Sequence, residues 1–121
     1  MSSFKKFFPE EHPKGWGKEL WITNTDKYCG KILCFNKGKR CSWHYHEIKD
    51  EVFYLLSGLM EITVSESDDR EKAETFFLKR GETFHVKTGL RHQMLAIEDS
   101  ELLEVSTQHF EDDSIRIIKG D

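Results

Sequence analysis

The sequence predicts an all-β sandwich or barrel, on three observations. From Glu19 onward, short runs rich in Ile, Val, Phe, Tyr, Thr and Leu alternate with turn residues. No stretch keeps a helical period over three turns. The 121 residues suit one domain, and nine Phe, three Trp and three Tyr supply the apolar surface for one core.

In chain order, residues 1–17 read as an extended N-terminal arm, because Pro9, Pro13, Gly15 and Gly17 break any helix. Residues 18–121 form the single barrel domain. Strands are predicted at 19–24, 28–36, 40–46, 51–57, 59–66, 73–79, 83–86, 92–97, 101–107 and 114–118. The turns between them carry Asn24-Thr25-Asp26, Asn36-Lys37-Gly38, Ser57-Gly58, Lys79-Arg80-Gly81, Thr88-Gly89 and Glu98-Asp99-Ser100. Met60, Ile62 and Val64 alternate with Glu61, Thr63 and Ser65, the pattern of a half-buried strand. The charged stretch 65–72 is a solvated hairpin end. Closing such a sheet removes its exposed edges.

Composition excludes several functions. Eighteen Lys plus Arg against 22 Asp plus Glu give a net charge of -4, which argues against general affinity for nucleic acid or anionic membrane. No apolar run reaches the length of a membrane span, and the start lacks the apolar core of a signal peptide. Cys29, Cys34 and Cys41 are odd in number and lack CxxC spacing, so neither a disulfide framework nor a zinc ribbon is indicated. A reducing, cytoplasmic setting is the expectation.

The chemistry concentrates on histidine. His44 and His46 stand two apart, and in a strand such residues share a face. Glu51 opens the next strong strand, so a turn after His46 brings its carboxylate back beside the pair. His92 opens a further strand. Three imidazoles and a carboxylate suit one divalent transition metal, leaving one or two positions for water or substrate. Mn, Fe, Zn, Ni and Co all accept this donor set, so the ion's identity stays open.

The surrounding spacing resembles the cupin superfamily. Gly38, His44-Tyr45-His46, Glu51 and Gly58 match the first cupin motif, and Gly81, Gly89 and His92 match the frame of the second. Lys87 stands where cupins usually have Pro, and Ala96 where they often have Asn. The resemblance implies a double-stranded β-helix, or jelly-roll barrel, with His44, His46, Glu51 and His92 as metal ligands. Lys14-Gly15-Trp16-Gly17-Lys18-Glu19, Leu102-Leu103-Glu104-Val105 and Asp112-Asp113-Ser114-Ile115-Arg116 are similar to segments of the cupin domain of type II phosphomannose isomerases. That likeness implies a sugar or sugar-phosphate setting, although 121 residues leave no room for the nucleotidyltransferase domain that often accompanies such cupins.

Further candidates follow from position. Glu104 lies inside an apolar run, and facing inward it would be a desolvated base; parity leaves its face open. His85 is a second candidate acid or base, or else a partly buried strand residue. Arg40, Lys87 and Arg91 cluster near the motif turns as a rim for an anion such as phosphate, or as a solvated rim. Cys41 is expected to face away from the metal histidines. Trp43 and Tyr54 read as packing residues, His12 and His109 as surface residues, and Asp112-Asp113 as a solvated turn. Phe4, Phe7, Phe8 and Trp16 give the arm more apolar surface than a free tail carries, which suggests a homodimer.

Three functions fit these residues: a mannose-6-phosphate isomerase-like enzyme moving a proton between neighbouring carbons, an Fe-dependent dioxygenase or metal-dependent lyase, and a non-catalytic binder of small molecules. Fold alone does not choose among them.

Overall fold

The computed structural model describes residues 3–121 as two antiparallel sheets folded into a barrel. The strands are β1 (Glu10–Lys14), β2 (Gly17–Asn24), β3 (Cys29–Phe35), β4 (Trp43–His46), β5 (Glu51–Ser57), β6 (Leu59–Ser65), β7 (Glu74–Lys79), β8 (Thr83–Val86), β9 (Arg91–Ala96), β10 (Ser100–Ser106) and β11 (Ser114–Ile118). One sheet runs β1-β2-β3-β10-β5-β8 and the other β11-β4-β9-β6-β7. Two short 3-10 turns, Arg70–Lys72 and Glu111–Asp113, complete the chain.

Alternation produces this arrangement. Along β3, Cys29, Lys31, Leu33 and Phe35 are buried while the residues between them are not. Along β5, Glu51, Phe53 and Leu55 point inward and Val52, Tyr54 and Leu56 outward. The inward apolar faces meet in a core that includes Trp16, Leu33, Phe35, Phe53, Leu55, Met60, Ile62, Met94 and Leu102. Trp43 is fully buried as expected, its indole N–H donating to the carbonyl of Asp68 at 2.9 Å, whereas Tyr54 faces outward. Gly58 turns β5 into β6 with φ at +93°, and any Cβ there would stand 2.4 Å from the carbonyl oxygen of Asp99. The motif glycine is thus required by both backbone and space.

Part of the expected extended arm joins the six-stranded sheet. Glu10–Lys14 is not free chain but an edge strand pairing antiparallel with β2, from Glu10 opposite Trp21 to Lys14 opposite Gly17. Pro13 is compatible with this because an edge strand leaves one side of its backbone unpaired. Residues 4–8 remain outside any strand, with Phe4, Phe7 and Phe8 exposed. The first two residues of the expected arm lie outside the described residues.

Candidate metal centre

The two sheets bring the predicted ligands together inside the barrel. His44 and His46 project from β4, and His44 is paired in register with His92 of β9. Glu51 enters from the opposite sheet at the start of β5. Ring nitrogens of the three histidines lie within 4.8 Å of one another. Glu51 Oε2 stands 3.4 Å from Nε2 of both His46 and His92.

Backbone carbonyls set the tautomers. Nδ1 of His44 donates to the Ser42 carbonyl at 2.8 Å, Nδ1 of His46 to that of Asp113 at 3.1 Å, and Nδ1 of His92 to that of Leu90 at 2.9 Å. A carbonyl only accepts, so each Nδ1 carries the proton and each Nε2 keeps its lone pair. Burial, with the neighbouring His92 and His46, holds His44 well below the ordinary histidine range. Burial pushes the Glu51 carboxyl up, but the Lys49 ammonium 3.2 Å from its Oε1 opposes this, and the group lies well below the usual carboxylate range.

These donors fit a cation. Glu51 Oε2 and His92 Nε2 are buried and have no hydrogen-bond partner among the described residues. Both are lone-pair acceptors, and a pair left unsatisfied in a dry interior is costly. Two ligands each about 2.1 Å from one ion stand roughly 3–3.5 Å apart, which is the separation seen here.

Behind these four residues lies a charged wall, of which the sequence reading named only Glu104 as a candidate site residue. Lys49, 3% exposed, places its ammonium 3.2 Å from Glu51 Oε1 and 3.0 Å from Glu104 Oε2. It also donates to His109 Nδ1 at 3.3 Å. Burial lowers the Lys49 pKa, but the charges of Glu104 and Glu51 reverse this and leave it raised. Glu104 faces inward beside Leu102, and its Oε2 also accepts from Ser106 Oγ at 2.7 Å. Burial and the charge of Glu51 raise its pKa. Lys31, opposite Glu104 in the β3–β10 register, lies 3.3 Å from Glu19 Oε1 and 4.1 Å over the Trp21 ring. Burial pushes the Glu19 carboxyl up, but Lys31 and the Trp21 indole N–H outweigh it and hold the group low.

Lys49, Glu104, His109, Lys31 and Glu19 line one cavity of about 370 Å³, together with His44, His92 and Glu51. Its exposed lining residues include Lys14, Glu111, Arg116, Lys119 and Asp121, which mark the rim.

Other sequence candidates lie elsewhere. His85 is exposed on the outer face with Thr83 and pairs with Asp50 at 2.9 Å, because the inward positions of β8 belong to Phe84 and Val86. Arg40, Lys87 and Arg91 do not line the cavity. Lys87 pairs with Glu66 at 3.1 Å, and Arg91 pairs with Asp68 at 2.9 Å while stacking over Tyr45. Arg40 is exposed and its backbone N–H donates to Asp121 Oδ2. Arg40 and Lys87 lie in loops and reach solvent, Arg91 opens β9 half-buried, and the cavity draws its cations from Lys14, Lys31, Lys49, Arg116 and Lys119.

Cys41 is a correction too. It precedes β4, so strand parity does not extend back to it, and it lines the cavity. Burial pushes its thiol up to about 12, far from a nucleophile's range. His109 also lines the cavity, held by its backbone N–H donating to Asn24 Oδ1 at 2.8 Å. His12, partly buried, stacks on Trp21. Asp113 is buried rather than solvated. Its carboxylate accepts from the backbone N–H groups of Glu47, Ile48 and Lys49, each at 3.0 Å.

A cupin domain model matches residues 31–106. The chain belongs to the cupin family. No curated protein matches the sequence itself. Among solved structures, this cupin superposes on KdgF from a Halomonas species with a TM-score of 0.74 at 19% identity, over 90% of this chain and 98% of that one. It superposes on the capsular polysaccharide assembling protein CapF from Staphylococcus aureus with a TM-score of 0.78 at 17% identity, over 92% of this chain and 34% of that one. A variant of oxalate decarboxylase from Bacillus subtilis gives 0.78 at 18% identity, over 96% and 33%. The chain thus spans about a third of CapF and oxalate decarboxylase and nearly all of KdgF. At these identities the likeness shows a shared fold.

His109 gives this cupin an acid sensitivity. Burial and the charges of Lys31 and Lys49 lower its pKa from 6.5 to about 4. Between those values the unfolded chain binds a proton that the folded chain refuses, so stability falls as pH drops from 6.5 to 4. Replacing His109 with Gln flattens this slope by up to about 1.4 kcal/mol per pH unit, measured by urea denaturation across that window. An unchanged slope would contradict the assignment.

Proposed function

We propose that this cupin is a metal-dependent isomerase of a small anionic sugar or sugar phosphate. The observation that carries the reading is Glu104, a buried carboxylate opening on the same cavity as His44, His92 and Glu51. His44, His46, Glu51 and His92 would hold one divalent ion, whose chemistry when bound is to polarise a carbonyl as a Lewis acid.

The protein groups supply the rest. Both hydrogen bonds to Glu104 fall on Oε2, which leaves Oε1 to take a proton from the carbon beside the carbonyl and return it to the carbonyl carbon, while the hydroxyl proton on that neighbouring carbon passes to the carbonyl oxygen. A raised pKa suits a carboxyl group that must both accept and release that proton. Lys14, Arg116 and Lys119 at the rim and Lys31 within offer cationic partners for the anionic end of the substrate. The cavity volume of about 370 Å³ falls within the range of small-molecule sites.

The test is proton NMR in deuterium oxide with metal-reconstituted protein and a panel of aldose and ketose phosphates. Deuterium should enter at the carbon next to the carbonyl, and Glu104→Gln should slow its entry by about 100-fold or more. Absence of exchange with every substrate would remove the isomerase reading. Oxygen uptake in the same mixtures would transfer the site to dioxygenase chemistry.

A homodimer belongs to the same proposal. Phe4, Phe7 and Phe8 are 82%, 66% and 96% exposed, and Val52, Tyr54, Leu56 and Val105 stand on the outer face of the six-stranded sheet. Apolar surface of this kind suits a partner copy.

A further inference from the structure

We propose that Lys49 is a positioning residue that restricts Glu51 to a single ligating oxygen. This rests on the metal-site reading above but does not depend on which reaction follows.

The two oxygens of Glu51 have different surroundings. Oε2 faces the imidazoles of His46 and His92 and has no hydrogen-bond partner among the described residues. Oε1 lies 3.2 Å from the Lys49 ammonium. A carboxylate free on both oxygens can chelate a cation with both. Here one oxygen is taken by a competing positive charge, and the carboxylate cannot rotate without breaking that ion pair in a buried site.

Lys49 is itself held on several sides. Its ammonium has three protons and three neighbours: Glu51 Oε1, Glu104 Oε2 and His109 Nδ1. Its backbone N–H donates to Asp113 Oδ2 at 3.0 Å, and Thr88 Oγ1 donates to its carbonyl at 3.2 Å. The side chain therefore has no second position that keeps its charge paired. One-oxygen ligation leaves a coordination position free for substrate, which two-oxygen ligation would fill.

Cobalt(II) reports the difference, because its visible absorption weakens as coordination number rises. The wild type and Lys49→Met are titrated with Co²⁺ alone. Lys49→Met should bind Co²⁺ no more weakly than wild type, since a repelling charge is gone and a second oxygen is released. Its visible absorption per bound ion should fall about twofold or more. Lys49→Arg, which keeps a charged donor, should restore the wild-type spectrum.

A spectrum unchanged in Lys49→Met, or weaker binding with that same spectrum, would overturn the proposal and leave Lys49 a structural residue. No uptake of Co²⁺ by the wild type would overturn both this and the metal-site reading. A second readout needs no variant and covers poor folding of Lys49→Met. The infrared difference between metal-loaded and metal-free wild type, labelled with ¹³C-glutamate, should show the wide splitting of carboxylate stretches that one-oxygen ligation gives. A narrow splitting, from two-oxygen ligation, would overturn the proposal.

Discussion

A His44→Ala, His46→Ala double variant is expected to lose metal binding entirely, while the wild type carries close to one divalent ion per chain. The two imidazoles supply half of the four donors, and the remaining pair, Glu51 and His92, meets at 3.4 Å without further help. Elemental analysis of untagged protein measures the stoichiometry. Thermal unfolding gives the energetic counterpart. An ion present at about 100 times its Kd stabilises the folded state by about 2.7 kcal/mol. For a domain of this size that is roughly a 10 °C rise in Tm. The wild type should show the rise with at least one of Mn²⁺, Fe²⁺, Co²⁺, Ni²⁺ or Zn²⁺, and the double variant with none. Metal-independent melting of the wild type with every ion would mean that the buried acceptors Glu51 Oε2 and His92 Nε2 are satisfied in some other way.

Much of this architecture is readable from residue order. The strands expected at 51–57, 83–86 and 114–118 coincide with Glu51–Ser57, Thr83–Val86 and Ser114–Ile118, because β-branched and aromatic residues alternate there between turn residues. The pairing of His44 with His46 follows from the two-residue period of a strand, and their meeting with His92 follows from one antiparallel register. Lys31 was within reach of the same rule, since it shares its face with Leu33 and Phe35. A lysine on an inward face reads as an exception until Glu19 and Trp21 are seen beside it. Lys49 and Asp113 gave no such signal. Both lie outside the strands, where no periodicity assigns a face, and their burial depends on a contact between segments more than sixty residues apart. The opposite error affected Arg40, Lys87 and Arg91. They are close to the motif in sequence, yet Arg40 and Lys87 lie in loops that reach solvent, and Arg91, at the start of β9, turns to Asp68 and Tyr45 rather than into the cavity.

That long-range contact is where a single substitution outside the ligand set should do most damage. Asp113→Ala is expected to cost about 3–5 kcal/mol of stability and to weaken metal binding by about 10- to 100-fold. The carboxylate is buried and accepts three backbone N–H groups in succession, from Glu47, Ile48 and Lys49. Hydrogen bonds to a charged group are worth about 1.5–3 kcal/mol each. Water can replace part of the loss, because Glu47 and Ile48 are exposed. It reaches Lys49 less readily, since that residue is 3% exposed. The three donors form the turn joining β4 to β5, and so fix the distance between His46 and Glu51. The same residue's carbonyl takes the Nδ1 proton of His46, so a shift of this segment also disturbs a ligand's orientation. Asp112→Ala is the control: Asp112 is exposed, and the change should stay within about 0.5 kcal/mol. Asp113→Asn should fall between the two, because its amide retains one accepting oxygen where the carboxylate has two. Urea denaturation of the metal-free proteins gives the stability, and titration with Co²⁺ gives the affinity. If Asp113→Ala matched the wild type in both, the closing segment would be mere packing, and the distance from His46 to Glu51 would be set by the strands alone.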